Sequence, residues 1–263
     1  MSDLFFYERR DGLFHPTPTT VGPWDPKLQH GGPPAALLAS LLDSERADGA
    51  RPATRIAYFS LDFLGPVGLA PMRVEQQTVR PGKKIALSHA VATMGDRPVL
   101  RASAWRLAVD EDRCPEVNLA RAVPPRPDVA AKTFFPGVPD FGYGHALEWR
   151  FADGGFDSLG PATVWTRLRA EIVRGSPPSS LARVLAMVDS ANGVSIELEM
   201  SKYLSVPVNL TVSLTRAPAG EWFAMRAKTT LASEGTGTTR AELFDEHGAV
   251  GEALQTLFVE KRG

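Results

Sequence analysis

His30-Gly31-Gly32-Pro33-Pro34 opens onto Ala35-Ala36-Leu37-Leu38-Ala39-Ser40-Leu41-Leu42-Asp43. Proline is tolerated in a first helical turn because the N–H it lacks would be unpaired there anyway. The run behind it is almost apolar all round, which predicts a buried helix rather than one laid on a surface. The design returns at Gly175-Ser176-Pro177-Pro178-Ser179-Ser180, followed by Leu181-Ala182-Arg183-Val184-Leu185-Ala186-Met187-Val188-Asp189. Each copy has a small-residue turn, two prolines, an apolar helix, and an acid followed by serine: Asp43-Ser44 and Asp189-Ser190.

Strand-like segments follow each helix. After the first they are Arg55–Leu64, Met72–Val79, Lys84–Thr93 and Pro98–Ala108. Ala57, Phe59, Leu61 and Phe63 alternate with polar or small neighbours, as a half-buried strand requires. After the second they are Ser195–Met200, Val206–Arg216, Glu221–Leu231, Thr236–Phe244 and Gly248–Val259, with Asp245-Glu246-His247-Gly248 as a hairpin turn. Between the copies lies a stretch dense in proline (Pro115, Pro124, Pro125, Pro127, Pro136, Pro139) that reads as a linker. The division is then 1–112, a linker over 113–140, and 141–263. An internal duplication is the most economical account.

Composition narrows the function. The chain has 263 residues, 43% hydrophobic and 22% charged, which excludes an intrinsically disordered protein. Its 29 basic and 30 acidic side chains leave a net charge of -1, without the basic excess of a nucleic-acid binder. Cys114 is the sole cysteine, so neither an intrachain disulfide nor a multi-cysteine metal site can form. The histidines His15, His89, His145 and His247 have no metal-ligand spacing, and no cofactor is called for. Charges at Asp3 and Glu8–Arg10 interrupt any signal-peptide core, and no apolar run suits a bilayer span. The expectation is a soluble, cytoplasmic protein.

A single buried helix wrapped by a long antiparallel sheet is the hotdog arrangement, and two in tandem make an α+β double hotdog. With these features the chain resembles the TesB-like (type II) acyl-CoA thioesterases over nearly its whole length. In the first half the likeness rests on the Gly-Gly turn, Tyr58–Pro66, Val74-Glu75 through Gly82, and Ala102–Trp105. In the second it rests on three positions. The family's catalytic aspartate follows an apolar pair at the end of the second helix, here Met187-Val188-Asp189. Its threonine, counted from Trp222 and back from Gly248, falls on Thr230. Its glutamine, soon after the hairpin, is Gln255. Two departures stand out: Ser190 replaces the histidine that often follows the aspartate, and His30 precedes the Gly-Gly.

The resemblance implies hydrolysis of an acyl-CoA by an activated water, with no nucleic-acid or membrane partner. A carboxylate can take the water's proton, and Thr230 and Gln255 can fix the water. No Gly-x-Ser-x-Gly elbow is present for a covalent route. Backbone N–H groups of Gly31 or Gly32, at a helix N-terminus beside His30, would meet the oxyanion. The turn of one half is expected to face the acid of the other. Thr229 beside Thr230 leaves the parity open, since a slip of one residue swaps faces. Two rival readings stand. Asp25 and His30 have the Asp-x4-His spacing of hotdog enoyl-CoA hydratases, though without their Asn-Pro. A non-catalytic acyl-CoA-binding module would keep the fold alone. By analogy, a homodimer or higher oligomer is expected.

Overall fold

The computed structural model describes residues 4–44, 53–110, 113–115, 117, 122–131 and 134–262. Parts of the 113–140 linker therefore lie outside the described residues, as does Asp3.

The chain opens with strands β1 (Phe5–Arg10) and β2 (Leu13–Pro16). Helix α1 (Gly32–Ser44) follows, then β3 (Thr54–Phe63), β4 (Arg73–Arg80), β5 (Ile85–Met94) and β6 (Arg97–Ala108). The second half begins with the short helix α2 (Gly142–Ala146) and strands β7 (Leu147–Asp153), β8 (Ala162–Leu168) and β9 (Glu171–Val173). Helices α3 (Ser180–Val188) and α4 (Ala191–Val194) precede β10 (Tyr203–Leu214), β11 (Trp222–Leu231), β12 (Thr236–Asp245) and β13 (Gly248–Lys261).

Ten strands make one sheet in the order β4-β5-β6-β3-β10-β13-β12-β11-β8-β7, and β2-β1-β9 make a second, small one. Both long helices lie inside the large sheet. Ala35 through Ala39 and Leu42 of α1 are buried, as are Val184 through Val188 of α3, and the two helices pack on each other. Each buried leucine contributes roughly 1.5–3 kcal/mol of apolar burial. This is a double hotdog: two helices, each wrapped by antiparallel strands, joined edge to edge where β3 meets β10.

That joint positions the site. Asn209–Ser213 of β10 pair with Tyr58–Asp62 of β3, and the pairing stops there. Tyr203–Pro207 remain bonded to β13 on their other side, while β3 ends at Phe63. The sheet thus splits between Phe63 and Val208, and the split leads inward to the helix ends.

Two expectations need correction. Ser195–Met200 is not a strand: after α3 the chain makes the extra turn α4 and an irregular stretch, and β10 begins only at Tyr203. The strands β1, β2 and β7–β9 also went unread, because charged residues interrupt their alternation. Glu148 and Arg150 in β7 are an example; Glu148 is buried among the guanidinium groups of Arg150, Arg167 and Arg169.

Candidate active site

Asp189 caps the C-terminal end of α3, where the Ser190 N–H reaches back to the Met187 carbonyl at 2.9 Å and the chain bends into α4. Its carboxyl group is only 3% exposed. The turn at the head of α1, from the other half of the chain, stands against it. His30 Nδ1 is 3.2 Å from Asp189 Oδ2, and the Gly31 N–H donates to the carboxylate. Gln255, fully buried on β13, donates through Nε2 to the Asp189 carbonyl at 3.1 Å and to Oδ1 at 3.4 Å. Its Oε1 accepts the Asn192 N–H at 3.1 Å.

The two glycines are what let the halves approach. A Cβ on Gly31 would stand 2.6 Å from Asp189 Oδ2 and 2.5 Å from the Phe63 ring. A Cβ on Gly32 would overlap the Ala186 carbonyl oxygen. The Gly32 N–H is not free for an oxyanion, a correction to the expected role, because it donates to His30 Nδ1 at 3.0 Å. Neutral imidazole has one acceptor and one donor nitrogen, so this bond leaves the ring proton on Nε2. The His30 ring stacks on Tyr143 with centroids 3.7 Å apart. The Tyr143 hydroxyl bonds to the Ala186 carbonyl and to Ser190 Oγ, both at 2.6 Å. His30 and Tyr143 thus occupy the space beside Ser190, the position where the family often carries a histidine.

Burial sets the electrostatics. Desolvation pushes the Asp189 carboxyl up to about 7, against the opposing hydrogen bonds from Gln255 and Gly31, and pushes the His30 imidazole down to about 3. An ionised carboxylate oxygen facing the Nδ1 lone pair at 3.2 Å is repulsive, so below about 7 the pair holds one proton, on Asp189.

A cleft of about 570 Å³ enters through the split in the sheet and reaches His30, Gly31, Asp189 and Asn192, between Phe63 and Val67 on one side and Val206 and Val208 on the other. Asp25 lies on its wall but accepts the Lys27 N–H instead of meeting His30. The Asp25/His30 pairing is therefore corrected: the carboxylate beside His30 is Asp189.

The threonine also needs correction. Thr230 faces outward and is exposed, whereas Thr229 is 4% exposed and faces the helices. Even Thr229 sits one layer behind Asp189, its hydroxyl bonded to Ser195 at 2.8 Å and to Thr239 at 2.7 Å. Thr239 in turn pairs across the ladder with Gln255. Thr229→Val would remove the bond of the buried Thr239 hydroxyl and one of the two bonds of Ser195, and should cost about 1–3 kcal/mol, against less than about 0.5 for Thr230→Val. Chemical denaturation of both variants checks the order; equal losses would show that the Thr229 network is not structural. Asn192, which links Gln255 to the Ser205 carbonyl through its N–H and Nδ2, was not foreseen. No periodic signal marks it.

The corresponding place of the other pairing is arranged differently. A cleft of about 430 Å³ brings Asp43 near Ser176–Ser179. There Asp43 is ion-paired to Arg106 at 3.3 Å, and Pro177 and Pro178 present no N–H.

The fold and the split sheet define a tandem hotdog protein, and the family models make the assignment specific. The acyl-CoA thioesterase N-terminal domain matches residues 20–107 and the acyl-CoA thioesterase C-terminal domain matches 120–259. The chain belongs to the acyl-CoA thioesterase family and is a thioester hydrolase. No curated protein matches it by sequence. Among solved structures it is similar to a hot dog-fold protein of unknown function from Alicyclobacillus acidocaldarius (TM-score 0.73, 16% identity, 98% of this chain and 96% of that one). It is also similar to a provisionally named thioesterase from Novosphingobium aromaticivorans (0.71, 20%, 96% and 98%) and to acyl-CoA thioesterase II TesB2 from Mycobacterium marinum (0.64, 14%, 99% and 96%). At these identities the likeness is one of fold. No helix among the described residues is long and apolar enough to cross a membrane.

Proposed function

We propose that the chain hydrolyses acyl-CoA to free acid and CoA, with Asp189 as general base on a water in the cleft. The observation that carries this reading is a carboxyl group buried at the cleft wall with its pKa raised to about 7. A base so poised is half ionised at neutral pH, where the product of ionised fraction and basicity is greatest. Gln255 acts as a positioning residue, since its Nε2 is bonded to Asp189 and its Oε1 to the Asn192 N–H rather than to a water. His30 serves the oxyanion: Gly32 fixes its tautomer, and Nε2–H is left to meet the charge that develops on the thioester oxygen. Gly31 holds the carboxylate toward the attacking water until the substrate carbonyl arrives.

The test is thiol release from a panel of acyl-CoAs, followed across pH. The base must be ionised, so kcat/KM should rise about tenfold per pH unit below about 7 and level off above it. A profile flat through neutrality would remove Asp189 as the base. Loss of enoyl-CoA absorbance without thiol release would favour hydration instead.

A further inference from the structure

Across His30 and Asn192 from the open cleft lies a second, narrow cavity of about 20 Å³, with Trp24 also common to both. Rings line it: Phe135, Phe141, Tyr143, Trp149 and Phe156, with Met200 beside them. From these dimensions we infer that the enzyme is selective for short acyl groups, acetyl and propionyl, because the acyl arm enters this chamber. The inference rests on the reading of Asp189 as the centre of thioester hydrolysis.

Two arms leave a thioester carbonyl, and they need different surroundings. The CoA arm is long and ends in phosphates that must stay in water. The cleft, which opens through the split sheet and carries Arg262 on its wall, offers that path. The acyl arm is apolar and gains from a dry, apolar chamber. On the far side of His30 and Asn192 the ring-lined cavity, with Ser190 also on its wall, provides a largely apolar one. Its volume is close to that of one water, which by size is also one methyl or methylene group.

The chamber cannot widen cheaply. Phe135 and Phe156 meet edge to face with centroids 4.9 Å apart, and Phe156 meets Trp149 the same way at 5.3 Å. Such contacts hold each ring by its neighbours. Phe135 arrives from the proline-rich linker, so a segment that reads as a mere connector supplies one wall. Each further methylene would have to displace rings packed at crystal-like density.

The experiment separates binding from turnover by using S-alkyl-CoA thioethers, which cannot be hydrolysed. Affinities of S-ethyl-, S-propyl- and S-octyl-CoA are measured calorimetrically on the wild type, Phe156→Ala and Met200→Ala. Thiol release from acetyl-, propionyl- and octanoyl-CoA is measured in parallel. On the wild type, S-propyl-CoA should bind at least about tenfold more tightly than S-octyl-CoA, a difference of about 1.4 kcal/mol. Either variant should reverse or erase that preference, and Met200→Ala serves if Phe156→Ala does not fold. Octyl binding as tight as propyl on the wild type overturns the inference, as does a preference unchanged in a folded variant or no binding of any thioether. Chain-length-dependent binding without thiol release from any acyl-CoA would uphold the chamber and defeat the hydrolytic reading instead.

Discussion

Asp189→Asn should lower kcat by about 10²- to 10⁴-fold, the range for a lost general base, while making the folded chain more stable in mildly alkaline solution. The two effects have one cause. The carboxyl of Asp189 is buried, and its pKa is raised from 3.8 to about 7. Each pKa unit is about 1.4 kcal/mol of differential interaction, so ionising this group inside the fold costs roughly 4 kcal/mol above neutrality. An asparagine keeps the shape without that charge. Its Nδ2 takes the place of Oδ2 without a charge, and its Oδ1 can still accept from Gln255. The gain is bounded by about 4 kcal/mol. Steady-state kinetics and urea melts on one preparation check both arms. Unchanged turnover, or a destabilised variant, would sink the account.

The pH dependence gives a sharper form of the same test. An unfolded aspartate ionises near 3.8 and an unfolded histidine near 6.5, whereas in the fold the values are about 7 and about 3. Between about 4 and 6.5 the folded state holds a proton on Asp189 that the unfolded chain has lost. Over that window the unfolded chain holds a proton on His30 that the folded state refuses. The first makes stability fall as pH rises, the second makes it rise, and in the wild type the two slopes cancel. Asp189→Asn removes the first alone. The variant's stability relative to wild type should therefore climb by about 1.4 kcal/mol per pH unit across the window. Taking the difference removes other shifted groups such as Glu148 and Asp245.

How much of this was legible in the chain depends on the range of the interaction that sets each feature. The two buried helices are written locally, in proline at the first turn and an apolar run behind it, and both form where that pattern stands. Gln255 was placed by the resemblance, soon after the hairpin, and in the structure it shares the buried parity of β13 with Ala253, Leu257 and Val259. Parity failed at Thr229 and Thr230, where adjacent identical residues carry no sign of which faces in. Only the resemblance set the His30 turn against Asp189; nothing in the local sequence pairs the two side chains. The carboxylate nearest to His30 along the chain is Asp25, and only the docking of α1 on α3 brings the other one to 3.2 Å. Asn192 was missed because α4 is a single turn, with no periodic signal, just before the stretch Ser195–Met200 that reads as a strand.

Gly32→Ala should both destabilise the protein and cripple it, although Gly32 touches no substrate in this account. Alanine is the better helix former, and at an unconstrained position near a helix start it would be neutral or helpful. Here the added methyl overlaps the Ala186 carbonyl oxygen and stands 3.0 Å from the Tyr143 ring. Neither can yield freely, since the Tyr143 hydroxyl is bonded to that carbonyl and its ring is stacked on His30. Relief requires α1 and α3 to move apart, which costs about 1–3 kcal/mol by the usual measure of overpacking. The same movement draws Gly31 and His30 away from Asp189, and misplacement of about 1 Å can cost on the order of 10²-fold in rate. Gly68→Ala is the matched control. It has the same change in backbone freedom, nothing within 4 Å of the new methyl, and a place outside the helix contact. It should stay within about 0.5 kcal/mol of wild type. Full activity in a folded Gly32→Ala protein would mean that the close approach of the two helix ends is not what assembles the site.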